Sequence, residues 1–188
     1  MIGNDIVDLS LAAQDSNWKR PRFLDKVFTT HEQTIISSSV DQHQMVWLLW
    51  SMKEAAYKAY VREYKYTFFN PKRLECQLGL NNEGVVNVDE KRYITKSILT
   101  SEYIHSIAMK FETPCSEIQL FKLSNCNLSA TIRMKIKSYA ALKYSKNVGV
   151  FEIIKSTLGF PDVYLNNKQI FKALSITHHG DYGAFAIY

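Results

Sequence analysis

A chain of 188 residues that is 46% hydrophobic can fill a substantial core and lies near the upper end for one simple domain, so two compact lobes fit it comfortably. The formal net charge of +5 favours anionic partners, with nucleic acid to be weighed beside acidic proteins and phosphate-bearing cofactors. No run approaches the roughly 18 apolar residues of a membrane helix, Met1-Ile2-Gly3-Asn4-Asp5 lacks the flank and apolar core of a signal peptide, and Cys76, Cys115 and Cys126 show no Cys-x-x-Cys spacing, so a cytoplasmic protein with reduced thiols and no zinc frame is expected.

The run from Met1 to Leu9 is apolar, interrupted by carboxylates and too close to the terminus for a capped helix. As a strand it places Asp5 and Val7 on one face and Ile6 and Asp8 on the other. Asp5 is then a carboxylate among buried positions, which calls for a cation or for several hydrogen-bond donors from a neighbouring loop. Residues 17–37 are polar and basic. Arg20-Pro21-Arg22 opens a helix through Phe23, Leu24, Val27 and Phe28, and Thr30-His31-Glu32-Gln33 reads as a further cap with Gln33 in the box position.

The apolar-periodic run over residues 44–66 predicts a central helix with Val46, Leu49, Trp50, Ala56 and Tyr60 toward the core, ended by Asn70-Pro71. On it Glu54 and Lys58, at i and i+4, share a face, while Lys53 lies one residue round the cylinder. Such a cluster is either a solvated helix pair or a place where a metal and an anion meet. Residues 74–78, 84–88, 93–99 and 103–111 alternate with period two and predict a four-stranded antiparallel meander, with His105 as a structural residue in its last strand. Thr113-Pro114-Cys115 marks a lobe boundary.

Residues 118–123 predict another strand. Residues 129–146 predict an amphipathic helix with Ile132, Ile136, Tyr139 and Ala140 on one side and Arg133, Lys135 and Lys137 on the other, a face open to solvent or to phosphate. In residues 173–188, Gly180-Asp181 reads as a turn between two strands, and Thr177, His178 and His179 crowd the strand end before it. Hydroxyl and imidazole donors there suit an anion or a substrate edge, or a hydrogen-bonded surface.

Gly3-Asn4-Asp5-Ile6, Trp50 to Lys58 and Ser175-Ile176-Thr177-His178 together make the chain resemble the 4'-phosphopantetheinyl transferase superfamily. Its members carry a Gly-x-Asp-Ile strand, a Trp-x-x-Lys-Glu-Ala-x-x-Lys helix and a Ser-x-Ser/Thr-His turn. The resemblance implies an α+β fold of two similar lobes, each an antiparallel sheet packed with a long helix, with residues 1–112 carrying the metal and catalytic motifs and residues 113–188 the nucleotide-binding motif. In the two-lobed branch of the family, the surfactin-synthetase-activating type, the His motif precedes the Gly-x-Asp-Ile strand. Here it comes last, as in the small trimeric holo-acyl-carrier-protein synthases. A circularly permuted, monomeric pseudodimer is therefore expected, with Asp5, Glu54 and Lys58 facing His178 across a cleft within one chain and with adjacent termini. The alternative is a homotrimer with shared sites.

The function so implied is Mg²⁺-dependent transfer of 4'-phosphopantetheine from coenzyme A to a serine of an acyl or peptidyl carrier protein. Asp5 and Glu54 would hold the metal, Asp5, Glu54 and Lys58 would be catalytic, and Lys53, Thr177 and His178 would bind the coenzyme. Arg20, Arg22 and Lys26 could meet the acidic carrier. The family's second carboxylate on the first strand is Val7 here, and its lysine in a Gly-Lys-Pro turn is Phe160. Two rival readings are a basic nucleic-acid-binding module and a catalytically inactive relative that binds coenzyme A.

Overall fold

The structure, a computed structural model, describes residues 1–110, 117–123 and 128–188. The expected boundary at Thr113-Pro114-Cys115, and with it Cys115 and Cys126, lies outside the described residues. Strand β1 (Ile2–Asp8) leads directly into the short helix α1 (Leu9–Asp15), capped by Asp8, which accepts the Leu11 N–H. Seven residues offer too little periodicity for the sequence to announce α1. Helix α2 (Phe23–Val27) follows, then α3 (Thr30–Ser38). The cap of α3 falls one residue earlier than expected: Thr29 accepts the Glu32 N–H and Glu32 accepts the Thr29 N–H. Gln33 donates instead to the Phe28 carbonyl.

The central helix α4 (Gln42–Tyr64) starts two residues before the expected position because Asp41 caps it, accepting the Gln44 N–H, and it ends at Lys65 in a left-handed conformation. The expected meander follows as β2 (Leu74–Leu78), β3 (Glu83–Val88), β4 (Lys91–Leu99) and β5 (Tyr103–Met109). Strand β1 adds to β5, so the antiparallel sheet runs β1-β5-β4-β3-β2. Its inner face, including Val7, Val86, Tyr93 and Ile104, shares one core with Val46, Leu49, Met52 and Ala56 of α4.

The second lobe comprises β6 (Glu117–Lys122), α5 (Leu128–Tyr144), β7 (Phe151–Lys155), β8 (Pro161–Leu165), β9 (Lys168–Gln169), β10 (Leu174–His179) and β11 (Tyr182–Ile187). Its strands form two sheets, β10-β11-β6 and β7-β8-β9, both antiparallel. Ile132, Ile136 and Ala140 of α5 pack with Phe151, Leu174 and Phe185. The α+β architecture of two sheet-and-helix lobes matches expectation, except that the second lobe divides its strands between two sheets. Among the described residues no helix is long and apolar enough to cross a membrane.

Two features join the lobes. Ile2 and Ile107 pack with Ala173 and Ala186, and both Met1 and Tyr188 lie against this cluster, so the termini adjoin. In addition, the N–H groups on the open edge of β1 are satisfied by side chains of β10: Asn4 donates to Ser175 Oγ (2.9 Å), Ile6 to Thr177 Oγ1 (3.1 Å) and Asp8 to His179 Nδ1 (2.9 Å). The constant offset means that β1 and β10 run side by side in parallel. An edge that would otherwise present unpaired donors is closed by alternate side chains of the other lobe.

Gly3 sets how near β1 comes to α4. A Cβ there would stand 2.7 Å from the Ala59 nitrogen and closer still to the Ala55 carbonyl oxygen, both backbone atoms that cannot turn aside. Gly3→Ala is expected to lower stability by about 1–3 kcal/mol, the range for overpacking a core, read as a lower urea midpoint at unchanged m-value. A midpoint equal to that of the unsubstituted chain would contradict this close approach.

Candidate active site

From Gly3 the strand period carries Asp5 to the same face, against α4. Asp5 is largely buried, and its Oδ1 accepts from Lys58 Nζ (2.9 Å) and from Thr177 Oγ1 (3.2 Å). Lys58 also donates to the Asn4 carbonyl at 2.9 Å. The Asp5 backbone carbonyl receives the Ser51 hydroxyl at 3.3 Å. Glu54, one turn before Lys58, has its carboxyl pushed up to about 6, first by burial and then by the negative charge of Asp5, with Lys58 opposing. Two carboxylates and one ammonium thus share a small volume at the lobe seam, and a further positive charge would relieve the strain on Glu54.

The same face of α4 continues to Arg62, four residues beyond Lys58. Its guanidinium is only 5% exposed and reaches across to the second lobe: Nη1 to Asp162 Oδ1 (2.7 Å), Nη2 to the carbonyls of Pro161 (2.9 Å) and Leu174 (2.7 Å). The sequence reading missed this residue. The i, i+4, i+8 spacing of Glu54, Lys58 and Arg62 was the available signal.

Lys58 and Arg62 line a cavity of about 210 Å³ together with Ile2, Phe160 and Ile176. It shares Gly159, Pro161 and Ile176 with a second cavity of about 240 Å³, lined also by Ser129, Arg133, Lys155 and His178. The two cavities are therefore neighbours, with Lys58 and Arg62 on the first and Arg133, Lys155 and His178 on the second. Phe160 lines the first cavity, its ring 4.9 Å from the Arg62 guanidinium and 5.5 Å from Lys65 Nζ. A larger groove of about 810 Å³ lies elsewhere, between β6 and α5, and none of the motif residues lines it.

Asp5, Glu54 and Lys58 are therefore brought together with Thr177 against Asp5; Lys58 and His178 line the two neighbouring cavities, and Lys53 alone of the expected residues lies apart. Lys53 turns into the first lobe. It is 2% exposed, pairs with Glu32 at 2.8 Å and donates to the carbonyls of Pro71 and Leu74, while Glu32 also accepts the Cys76 N–H. This buried pair ties α3, α4 and β2 together, so Lys53 has no free ammonium for a coenzyme. Thr177 and His178, expected to act together, point oppositely because successive strand residues alternate. Thr177 is buried against β1, and His178 lines the second cavity.

Val7 and Asp8 behave as the strand reading expects. Val7 is buried in the α4 core, and Asp8 points away, its carboxylate joining the start of α1 to the Asp181 N–H of the β10–β11 turn. His105 is structural as read, buried with Asn4 Nδ2 3.3 Å from its Nε2, and burial and then Lys58 push its pKa down to about 4. The basic face of α5 is not one open stripe: Arg133 donates to the Ile153 carbonyl and Lys135 lies over Phe121.

The raised Glu54 pKa has a pH signature. The native state binds this proton more tightly than the unfolded chain, so its stabilisation is full below about 4.5 and is lost as pH rises through about 6. His105 acts with the opposite sign, losing stability as pH falls from 6.5 toward about 4. Glu54→Gln isolates the first effect: in chelator at pH 7.5 the variant should be more stable than the unsubstituted chain by on the order of 1–2 kcal/mol, with the advantage gone at pH 4.5. Denaturation midpoints that differ equally at both pH values would contradict the assignment.

Residues 1–108, from β1 almost to the end of β5, match the family model described as the 4'-phosphopantetheinyl transferase superfamily. No curated protein sequence matches. Among solved structures, the Helicobacter pylori holo-[acyl-carrier-protein] synthase in complex with coenzyme A aligns with a TM-score of 0.47 at 13% identity, over 57% of this chain and 97% of that one. The matched residues contain the Gly3-to-Ile6 strand and the Trp50-to-Lys58 helix whose contact builds the carboxylate and ammonium cluster, and the chain belongs to the 4'-phosphopantetheinyl transferase superfamily.

Proposed function

We propose that the protein transfers the 4'-phosphopantetheine arm of coenzyme A to a serine hydroxyl of an acyl or peptidyl carrier protein in the cytoplasm, releasing adenosine 3',5'-bisphosphate. The observation that carries this reading is the Asp5, Glu54 and Lys58 cluster, whose Lys58 lines a cavity next to the one lined by His178, both within one chain. That arrangement favours a single-chain site over one shared between subunits. It also gives the carboxylates a purpose that a nucleic-acid-binding module would lack.

Mg²⁺ suits the donor set. Among the described residues no three acidic, histidine or cysteine side chains converge as a metal cage. Mg²⁺ is commonly held by one or two carboxylates with water and phosphate oxygens, and Asp5 and Glu54, coupled by charge, fit that pattern without a carboxylate at position 7. When bound, the ion would supply positive charge to neutralise the pyrophosphate.

The chain's own residues do the rest. Lys58, anchored by Asp5 and the Asn4 carbonyl, offers a positive charge to the phosphate oxygens, where charge develops in the transition state. Glu54, on the same face of α4 as Lys58, is the nearby carboxylate to take the serine proton. His178, with Arg133 and Lys155 along the same cavity, receives the 3'-phosphate. Residues 1–112 and 113–188 are the two functional halves in this proposal.

Asp5→Asn and Glu54→Gln should each remove two or more decades of transfer activity while leaving a folded protein. Near-normal turnover at limiting metal would exclude them as the metal's ligands. His178→Ala should weaken coenzyme A by about 1–3 kcal/mol in calorimetry and hardly change 3'-dephospho-coenzyme A. Equal weakening of both ligands would move His178 out of the 3'-phosphate site.

A further inference from the structure

We infer that Thr177 is a positioning residue through which the second lobe holds Asp5 in its cation-binding orientation. This rests on the reading of Asp5 as a metal ligand, and it departs from the expectation that Thr177 touches the coenzyme. The hydrogen-bond inventory decides the point. A hydroxyl has one proton, and Thr177 Oγ1 already accepts the Ile6 N–H at 3.1 Å, so its own proton goes to Asp5 Oδ1 at 3.2 Å.

Lys58 donates to the same oxygen at 2.9 Å, so among the described residues the two hydrogen bonds to the Asp5 carboxylate fall on Oδ1 and come from two different lobes. Held at one oxygen, the carboxylate keeps a fixed plane and offers Oδ2 to a cation. Of the three β10 side chains that close the edge of β1, Thr177 alone also reaches an ionisable side chain of β1; Ser175 and His179 meet β1 through the N–H groups of Asn4 and Asp8. The lobe contact and the cation site therefore share one hydroxyl. A partner of this kind behind a metal-binding carboxylate is typically worth about 10–100-fold in metal affinity.

The test is Mn²⁺ binding to the full chain without coenzyme A, read by electron paramagnetic resonance of the free ion. Thr177→Val removes the proton at constant volume, Thr177→Ser keeps it, and His179→Ala removes a neighbouring lobe contact without touching Asp5. Thr177→Val should bind Mn²⁺ about tenfold or more weakly, while Thr177→Ser and His179→Ala should bind it as the unsubstituted chain does. In chelator, Thr177→Val should keep its affinity for coenzyme A. Should the valine variant not fold, Thr177→Cys, with a weak donor of similar size, is expected to show the same direction.

Unchanged Mn²⁺ affinity in Thr177→Val, or an equal loss in His179→Ala, would overturn the positioning role. Loss of coenzyme A affinity in chelator would return Thr177 to the nucleotide site. Asp5→Asn separates the two levels: if it too leaves Mn²⁺ binding intact, the metal reading itself fails and this inference with it.

Discussion

The packing of β1 directly on the backbone of α4 at Gly3 determines the positions of the residues that follow. Without a Cβ the strand lies against Ala55 and Ala59, and two residues later Asp5 arrives beside Lys58 with the charge of Glu54 close by. Any side chain at position 3 would lift the strand from the helix and carry Asp5 with it. The small residues of the Gly-x-Asp and Lys-Glu-Ala motifs and their charged neighbours are thus two sides of one contact: the first permit the approach, the second are what it brings together.

The seam between lobes depends on a second constraint, the open edge of β1. Its outward N–H groups are met by Ser175, Thr177 and His179, and the buried Arg62 adds bonds to Asp162, Pro161 and Leu174 from the same face of α4 that carries Lys58. Buried charges of this kind contribute less to net stability than to selecting one arrangement, because a misregistered seam would leave a guanidinium or a row of amides unpaired. Lys58 and Arg62 line one cavity beside these bonds, and His178 lines its neighbour. Phe160 meets Arg62 and Lys65 through its ring, so positive charge borders that turn although the residue itself carries none.

The meander, the long helix and the final hairpin were legible in the sequence because each repeats a period over enough residues, and the opposite facing of Asp5 and Asp8 followed from strand alternation alone. Lys53 was not legible: its partner Glu32 lies on α3 and becomes visible only when α3 packs on α4, whereas adjacency to Glu54 suggested a shared task. Thr177 and His178 were read as one motif although alternation separates them, the same rule that had sorted Asp5 from Asp8. The β7-β8-β9 sheet escaped because its strands are short and its turns lack a strong period, and Arg62 because its partners come from a stretch about a hundred residues away.

The central claim is that one chain holds both ends of a coenzyme-sized substrate and moves its arm to a protein serine. The most direct measurement is the mass of an apo acyl or peptidyl carrier protein incubated with this protein, coenzyme A and Mg²⁺. The account predicts a gain equal to one phosphopantetheine arm on the carrier serine, dependent on the divalent ion and on Asp5 and Glu54. A panel of apo carriers left unmodified, under conditions where coenzyme A binds, would contradict transfer and leave a coenzyme-binding protein without it.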